Sequence, residues 1–509
     1  MITRVSDYQL YWGDIHNHNR FVCGQGSIER SYEIAAGHLD FYALTPHAQY
    51  CDGHAPDGYE LVKQNWTDIQ KAAAGYNRPG RFTTFLAYEW HSHQWGHYCV
   101  YYEDDHQPLH LAMTLEHLRD YIRGHNRAIM VPHHIAYRNG IDWDLFDESI
   151  MPVIEMFSEH GCGERDGGPF PYLGHSLGPG GGRFNIQHGL GIGKRFGFTA
   201  GTDNHDGYPG GYGLGLTGIY AEQNSRAAIF EALRARRTFA VTGDRIAVDF
   251  SANGAPMGST LPANGGVDLY FSVEGWDTLR QVELIRNNLP VTQTCPDFSA
   301  IAPTGEQTYR FRVEWGWGPM KGYQIYDWTG SIRIDDGQIT QVVPCFRSDP
   351  FDEHRRKAIT GQADQLCAWQ SHTSRGGIIT SRNSALTCGP TDSIAIEIRG
   401  TQQTRIGIEL NCSTRQSIMA TPIDWSINNA EASKRLEKTL GQLLQESQHL
   451  DFMDKTLTWA YVHRAVPAQR YRLSGSYRHG PNDGPAYYYV RATQDNGHMA
   501  WSSPIWITG

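Results

Sequence analysis

The residues most able to do chemistry begin at Asp14-Ile15-His16-Asn17-His18. In an extended segment alternate side chains share a face, so His16 and His18 can hold one metal ion between them. Glu89, His97, the pair His133-His134, Glu155, Glu159-His160 and Asp203-Asn204-His205 follow at intervals. Imidazole and carboxylate are good ligands for first-row divalent cations. A carboxylate bridging two of them lets them share a hydroxide made nucleophilic at neutral pH. Of 24 histidines, 18 precede residue 246, so the first half of the chain carries the site.

The elements that must position these residues alternate in type. Tyr8 to Trp12 reads as a short buried strand, and Ser27 can cap a helix through Ala36. Phe41 to Thr45 is a second strand, followed by His47, and Asp57 to Tyr76 is a helix. Thr83 to Tyr88 is a strand with Glu89 at its end, and Thr114 caps a helix to about Arg123. Ala128 to Val131, Pro152 to Phe157 and Phe196 to Ala200 complete the strands. Ligand-type residues thus recur at the C-terminal ends of successive strands, where a βα barrel builds its active site. Taken singly, His91, His93, His106, His110 and His125 read as loop or helix-surface residues.

Asp14-Ile-His16-Asn-His18, Thr45-Pro-His47, Tyr88-Glu89-Trp90, Pro132-His133-His134 and Gly201-Thr-Asp203-Asn-His205 together resemble the polymerase and histidinol phosphatase (PHP) superfamily. Ala87-Tyr-Glu-Trp, Gly96-His97, Leu233-Arg-Ala-Arg-Arg-Thr and Thr242-Gly-Asp are similar to signatures of its DUF3604 branch. The resemblance implies a distorted (βα)7 barrel over residues 1–245 that binds two or three divalent metal ions, zinc, manganese or iron. It further implies that His16, His18, Glu89 and Asp203 surround one metal, with Glu89 bridging to a second. His97 and either His133 or His134 complete that second site, and His47 with His205 supply a third. Two positions depart from the superfamily pattern: Pro46 stands where Asp is frequent, and Cys23-Gly24-Gln25 where His or Asp is usual. Cys23 is then an unusual candidate ligand, and a tight binuclear core with a weak third ion is expected. In that case His47 or His205, or else His160, protonates the leaving group.

The remaining sequence sets limits on partners and architecture. A formal net charge of -10 and a pI near 6.2 argue against nucleic acid or an anionic membrane and favour a small-molecule substrate. Met1 to Asp7 lacks the apolar core of a signal peptide, no apolar run is long enough to span a bilayer, and the nine cysteines are scattered. These features suit a cytoplasmic protein with reduced thiols. The glycine-rich segment 161–194, with Arg165, His175, Arg183 and His188, reads as a binding loop or a surface insertion. Arg165, Lys194 and Arg195 are its candidates for meeting an anionic group. Residues 246–509 show alternating strands of a C-terminal β-sandwich, interrupted by a charged helical stretch near 430–450.

The expectation is a metal-dependent hydrolase, favoured as a phosphoesterase. The alternatives are a hydrolase or lyase acting on a non-phosphate ester, amide or sugar derivative, and an inactive carbohydrate-binding or scaffold protein.

Overall fold

The computed structural model describes residues 8–21, 24–50, 57–172, 178–299, 305–317, 324–347, 355–374, 391–416, 431–453 and 458–509. It is a mixed α/β, sheet-rich fold that divides into two compact units. The first comprises Met1–Glu274, Arg280–Cys295 and Leu473–Gly509; the second comprises Gly275–Leu279 and Pro296–Arg472. The expected division at residue 245 is therefore corrected: the end of the chain returns to the first unit.

In the first unit, β1 (Gln9–Asp14) pairs in parallel with β2 (Phe41–Leu44), and β2 with β4 (Thr83–Ser92). Between them lie α1 (Ile28–His38), β3 (His47–Tyr50) and α2 (Asp57–Tyr76). Ser27 caps α1 by accepting from the Arg30 N–H, as its sequence position predicts. The pattern then breaks from regular βα alternation. β4 forms an antiparallel pair with β5 (Gly96–Tyr102), which pairs antiparallel with β6 (Ala128–His133) after α3 (Leu115–Arg123). Three further strands, β7 (Val153–Ser158), β8 (Gly161–Cys162) and β9 (Gly197–Ala200), form a small sheet, with α4 (Ile186–Gly191) between β8 and β9. β10 (Leu216–Ala221) lies antiparallel to β1 and, beyond α5 (Arg226–Arg234), to β11 (Thr238–Val241).

The inward faces of these strands explain where the core sits. Along β4, Phe85 and Ala87 share a face with Glu89 and His91. Along β5 the same alternation gives Tyr101, Cys99 and His97, and along β6 Ile129, Val131 and His133. Phe85, Ala87, Cys99, Tyr101, Ile129 and Val131 belong to one buried apolar cluster with Ile15, Phe41 and Ile229. Each strand thus passes from oil to ligand-type side chains at the same level.

The C-terminal return completes this sheet. Met499–Ser502 pairs with β11, matching Phe239 to Ser502 and Val241 to Ala500. Ser503 Oγ accepts from the Phe198 N–H at 2.8 Å. Glu164, buried in the glycine-rich segment, receives Tyr489 Oη at 2.7 Å and pairs with Arg491 at 2.9 Å. The segment is thereby anchored within its own unit; His175 lies outside the described residues.

The described strands of the second unit form one nine-stranded antiparallel network. Its 26-residue strand, Thr391–Gln416, pairs along its length with Gln324–Cys345. The expected helix near 430–450 is corrected: Glu431–Thr439 is a strand, Leu440–Leu443 a single helical turn and Gln448–Met453 another strand. The charges of Glu431–Thr439 face solvent on a strand rather than a helix. Among the described residues, no helix is long and apolar enough to cross a membrane.

Removing everything after Asp244 strips β11 of one of its two partner strands and leaves the Glu164 carboxylate and the Phe198 N–H without Tyr489, Arg491 and Ser503. The fragment should be insoluble on expression. A soluble, monodisperse fragment in size-exclusion chromatography would contradict the pairing as a folding requirement.

Candidate metal centre

His16 and His18 follow β1, and the chain there is bolted to the loop after β9. Asp14, fully buried, accepts from the N–H groups of His16, Thr202 and Gly210 at 3.1, 3.0 and 2.9 Å and from Thr202 Oγ1 at 2.6 Å. Burial pushes its carboxyl up, and these donors offset that in part. Gly201 is required by close approach, since a Cβ there would lie 2.4 Å from that of His16. Asp203 takes a left-handed backbone, φ 51°, and donates its N–H to His16 O at 2.7 Å. Asn17 turns away and bonds Thr202 and Asn204, so His16 and His18 project together as the alternation predicts.

Two carboxylates, each about 1 % exposed, organise the centre. The Nε2 atoms of His16, His18 and His47 lie 3.5, 3.2 and 3.2 Å from Glu89 Oε2. Around Glu89 Oε1 are His91 Nε2 at 2.8 Å, His133 Nε2 at 3.0 Å and His97 Nδ1 at 3.5 Å. Asp203 Oδ1 faces His18 Nε2 at 2.9 Å and His16 Nε2 at 3.2 Å. Its Oδ2 faces His134 Nε2 at 2.8 Å and His160 Nε2 at 3.0 Å. His16 and His18 therefore touch both carboxylates, while His133 and His134 divide between them. His205 stacks on His18, and its Nδ1 lies 2.9 Å from Asp203 O. A carbonyl only accepts, so the proton sits on Nδ1 and Nε2 keeps its lone pair.

All the histidines expected as ligands thus converge, with Glu89 and Asp203 among them. Two neighbours, His91 and Cys99, were missed, and a third, Glu155, was seen as a strand carboxylate without an assigned partner. His91, expected on a loop, is 1 % exposed and lies on β4, two residues beyond Glu89; the strand runs four residues further than Thr83 to Tyr88. Glu155 holds His16 Nδ1 at 2.7 Å. Cys99 is buried beside His16, Glu89 and His133. Pro46 contributes its carbonyl, which accepts the Glu89 N–H at 3.0 Å. Arg165 and Arg183 are exposed, Lys194 and Arg195 half-buried, and Cys23 lies outside the described residues.

The donor set fits divalent cations. First-row ions with donors at about 2.1 Å have donor-to-donor edges of about 3.0–3.4 Å, and the nitrogen-to-oxygen distances given above for Glu89 and Asp203 run from 2.8 to 3.5 Å. His16 Nε2 and Glu89 Oε2 are buried with no hydrogen bond. Such atoms are costly unless something else satisfies them. Ligand atoms of His16, His18 and Asp203, of His18, His47 and His205, and of His97, His133 and His134 each gather within 4.8 Å.

Charge states agree with ligation. Burial alone would raise Glu89, yet His91, His47 and His133 hold it well below the usual carboxylate range. Asp203 is likewise held low, against burial, by His16, His134 and His160. Burial pushes His133 down to about 3 and His205 down to about 4. A ring lowered in this way favours the neutral form near pH 7, in which His205 can offer a lone pair.

A family model described as a protein of unknown function, DUF3604, matches residues 29–121 and 199–255. That span includes His47, Glu89, His91, His97, Asp203 and His205. An uncharacterized protein of Chlamydia pneumoniae is 27% identical over 321 residues, covering 57% of this chain and 49% of that protein. One of Chlamydia muridarum is 28% identical over 316 residues, with the same two shares, 57% and 49%. The chain spans about half the length of the curated relatives it matches. A solved two-domain protein of Bacteroides vulgatus, described as containing a predicted PHP-like metal-dependent phosphoesterase, is 16% identical with a TM-score of 0.32. That match covers 60% of this chain and 84% of that one.

The neutral imidazoles set a pH dependence. His133 and His205 are protonated near 6.5 when unfolded but resist protonation when folded. Their contribution to stability is full above about 6.5 and is lost as pH falls through that value toward 4 and 3. His18, His91 and His134 are also lowered, chiefly by burial. Glu155, pushed up to about 7 by burial, and His16, raised by Asp203 against burial, act in the opposite sense but are fewer. Chelator-treated protein should have a lower urea midpoint at about pH 5 than at about pH 7.5; an equal or higher midpoint at the acid pH contradicts this.

Proposed function

We propose that this chain is a metal-dependent hydrolase of small molecules, favoured as a phosphoesterase. The observation that carries the proposal is the pair of buried carboxylates, Glu89 and Asp203, sharing His16 and His18 and ringed by further imidazoles. In this reading the first unit is a distorted (βα)7 barrel. Parallel β1, β2 and β4 support it, as does the convergence of their inward side chains at one level. The second unit is read as a β-sandwich, supported by irregularities at Asp335/Gly337 and Ile339/Gln341, where a long strand can pass between layers.

Glu89 would bridge, with His16, His18 and Asp203 on one side and His91, His97 and His133 on the other. His134 and His160 would complete the Asp203 side. Zinc, manganese or iron bound there would supply Lewis-acid charge to a substrate oxygen and to an attacking water. With a metal bound, Glu155 would accept the Nδ1 proton of His16, 2.7 Å away, leaving Nε2 with its lone pair facing both carboxylates. The centre opens to solvent at His47 and His205, each 23% exposed, and at His160, 14% exposed. Substrate would meet these three rings first. His160 lies between Tyr137 Oη at 2.8 Å and Asp203, and if it is left off the metal it would be the candidate to pass a proton to a leaving group.

One observation favours the alternative, a non-phosphate ester, amide or sugar derivative. Among the described residues, the ion-pair partners of Glu89 and Asp203 are all imidazoles, and Arg165 is exposed. A phosphate dianion would therefore rely on the cations alone for its charge.

Elemental analysis of protein purified without chelator, followed by a hydrolase substrate panel in the metal found, tests the proposal. Two or more divalent ions per chain and phosphoesterase turnover are expected. Absence of bound metal overturns it, and turnover confined to carboxylic esters, amides or glycosides moves it to the alternative. Glu89→Gln keeps the size but removes the charge shared by six imidazoles, so metal content and turnover should collapse together; full occupancy in that variant rejects the bridging role. His205→Ala removes a ring from the His18-His47-His205 group and should cost no more than one ion per chain. Loss of all metal would show that His205 supports the whole centre.

A further inference from the structure

Cys99 is a buried group on the inward sheet face that the hydrolase proposal leaves without a role. β4 and β5 pair antiparallel with Cys99 directly opposite Glu89 and His97 opposite His91. Because side chains alternate along a strand, Cys99, His97, Glu89 and His91 all project to one side of the sheet. Cys99 is 1% exposed, and its Sγ lies within 4.8 Å of donor atoms of His16, Glu89 and His133. Two side chains of this same cluster, each about 1% exposed, carry an atom that has no hydrogen bond, His16 Nε2 and Glu89 Oε2. The thiol therefore stands where the apolar layer of Ala87, Tyr101 and Val131 meets the layer of nitrogen and oxygen donors.

We propose that Cys99 is a sulfur ligand of the metal centre, acting with His16, Glu89 and His133, and that it tunes the centre toward zinc over manganese or magnesium. The proposal rests on the metal-dependent reading above. Thiolate is a soft ligand that suits zinc and cobalt, whereas manganese and magnesium suit oxygen donors. Charge points the same way. Neutral imidazoles add none, and two divalent cations carry more positive charge than Glu89 and Asp203 can offset; a thiolate reduces the excess in a site that water does not screen. As the sulfur–metal bond forms, the thiol proton leaves to solvent, and nothing is oxidised or reduced.

The test uses the full chain, stripped with chelator and reloaded with cobalt(II). The parent should show an intense near-ultraviolet sulfur-to-cobalt charge-transfer band. The band should vanish in Cys99→Ser and persist in Cys23→Ser and Cys162→Ser. In competition for the stripped protein, the preference for zinc over manganese should fall about tenfold or more in Cys99→Ser. Cobalt bound without the band, or a band that survives in Cys99→Ser or disappears in Cys23→Ser, overturns the sulfur assignment and leaves the metal centre standing. Failure to bind cobalt or zinc at all overturns the metal centre itself. Should Cys99→Ser not fold, zinc-edge X-ray absorption of Cys23→Ser decides: a sulfur neighbour is expected, and a shell of nitrogen and oxygen only refutes the proposal.

Discussion

Two carboxylates taken out of water set the terms for the first unit. An ionised carboxylate loses several kcal/mol of hydration on burial and remains charged only if its surroundings return it. Glu89 and Asp203 are each about 1 % exposed and are held below the usual carboxylate range chiefly by the surrounding imidazoles, against burial. Most of these rings are held neutral by burial and offer lone pairs more readily than protons, a donor set compatible with divalent cations between rings and carboxylates. The same requirement explains atoms that would otherwise be a liability, such as His16 Nε2.

The frame meets that requirement through register. On β4, β5 and β6, apolar side chains give way to Glu89, His97 and His133 at one level, so each ligand-type residue is seated on packed core. Asp14 does the equivalent for the loop after β9. Three hydrogen bonds accepted by one carboxylate fasten Thr202 and Gly210 to the end of β1, and a fourth, from the His16 N–H, fixes the turn beyond it, which places Asp203 against His16. Positioning groups of this kind do little chemistry, yet the spacing of the reactive ones follows from them.

Much of this cluster was legible along the chain because its residues obey local rules. His16-Asn17-His18 alternates as an extended segment must, and Thr114 and Ser27 announce their helices by capping. What escaped was non-local. Tyr88-Glu89 looked like a strand end, but β5 folds back on β4 and extends it to Ser92, which brings His91 inward and places Cys99 opposite Glu89. The return of Met499–Ser502 to β11 joins residues about 260 apart, which no periodicity encodes. Glu431–Thr439 was misread because a run of charged residues with good helix propensity also suits a strand when its neighbour, Arg405–Ser413, supplies the hydrogen bonds.

Anomalous diffraction at the absorption edge of the bound metal, from crystals grown without chelator, tests the central claim most directly. Anomalous density is expected in contact with Glu89 and Asp203 and flanked by His16 and His18. Metal found only at sites remote from Glu89, or none at all in fully folded crystals, would contradict it.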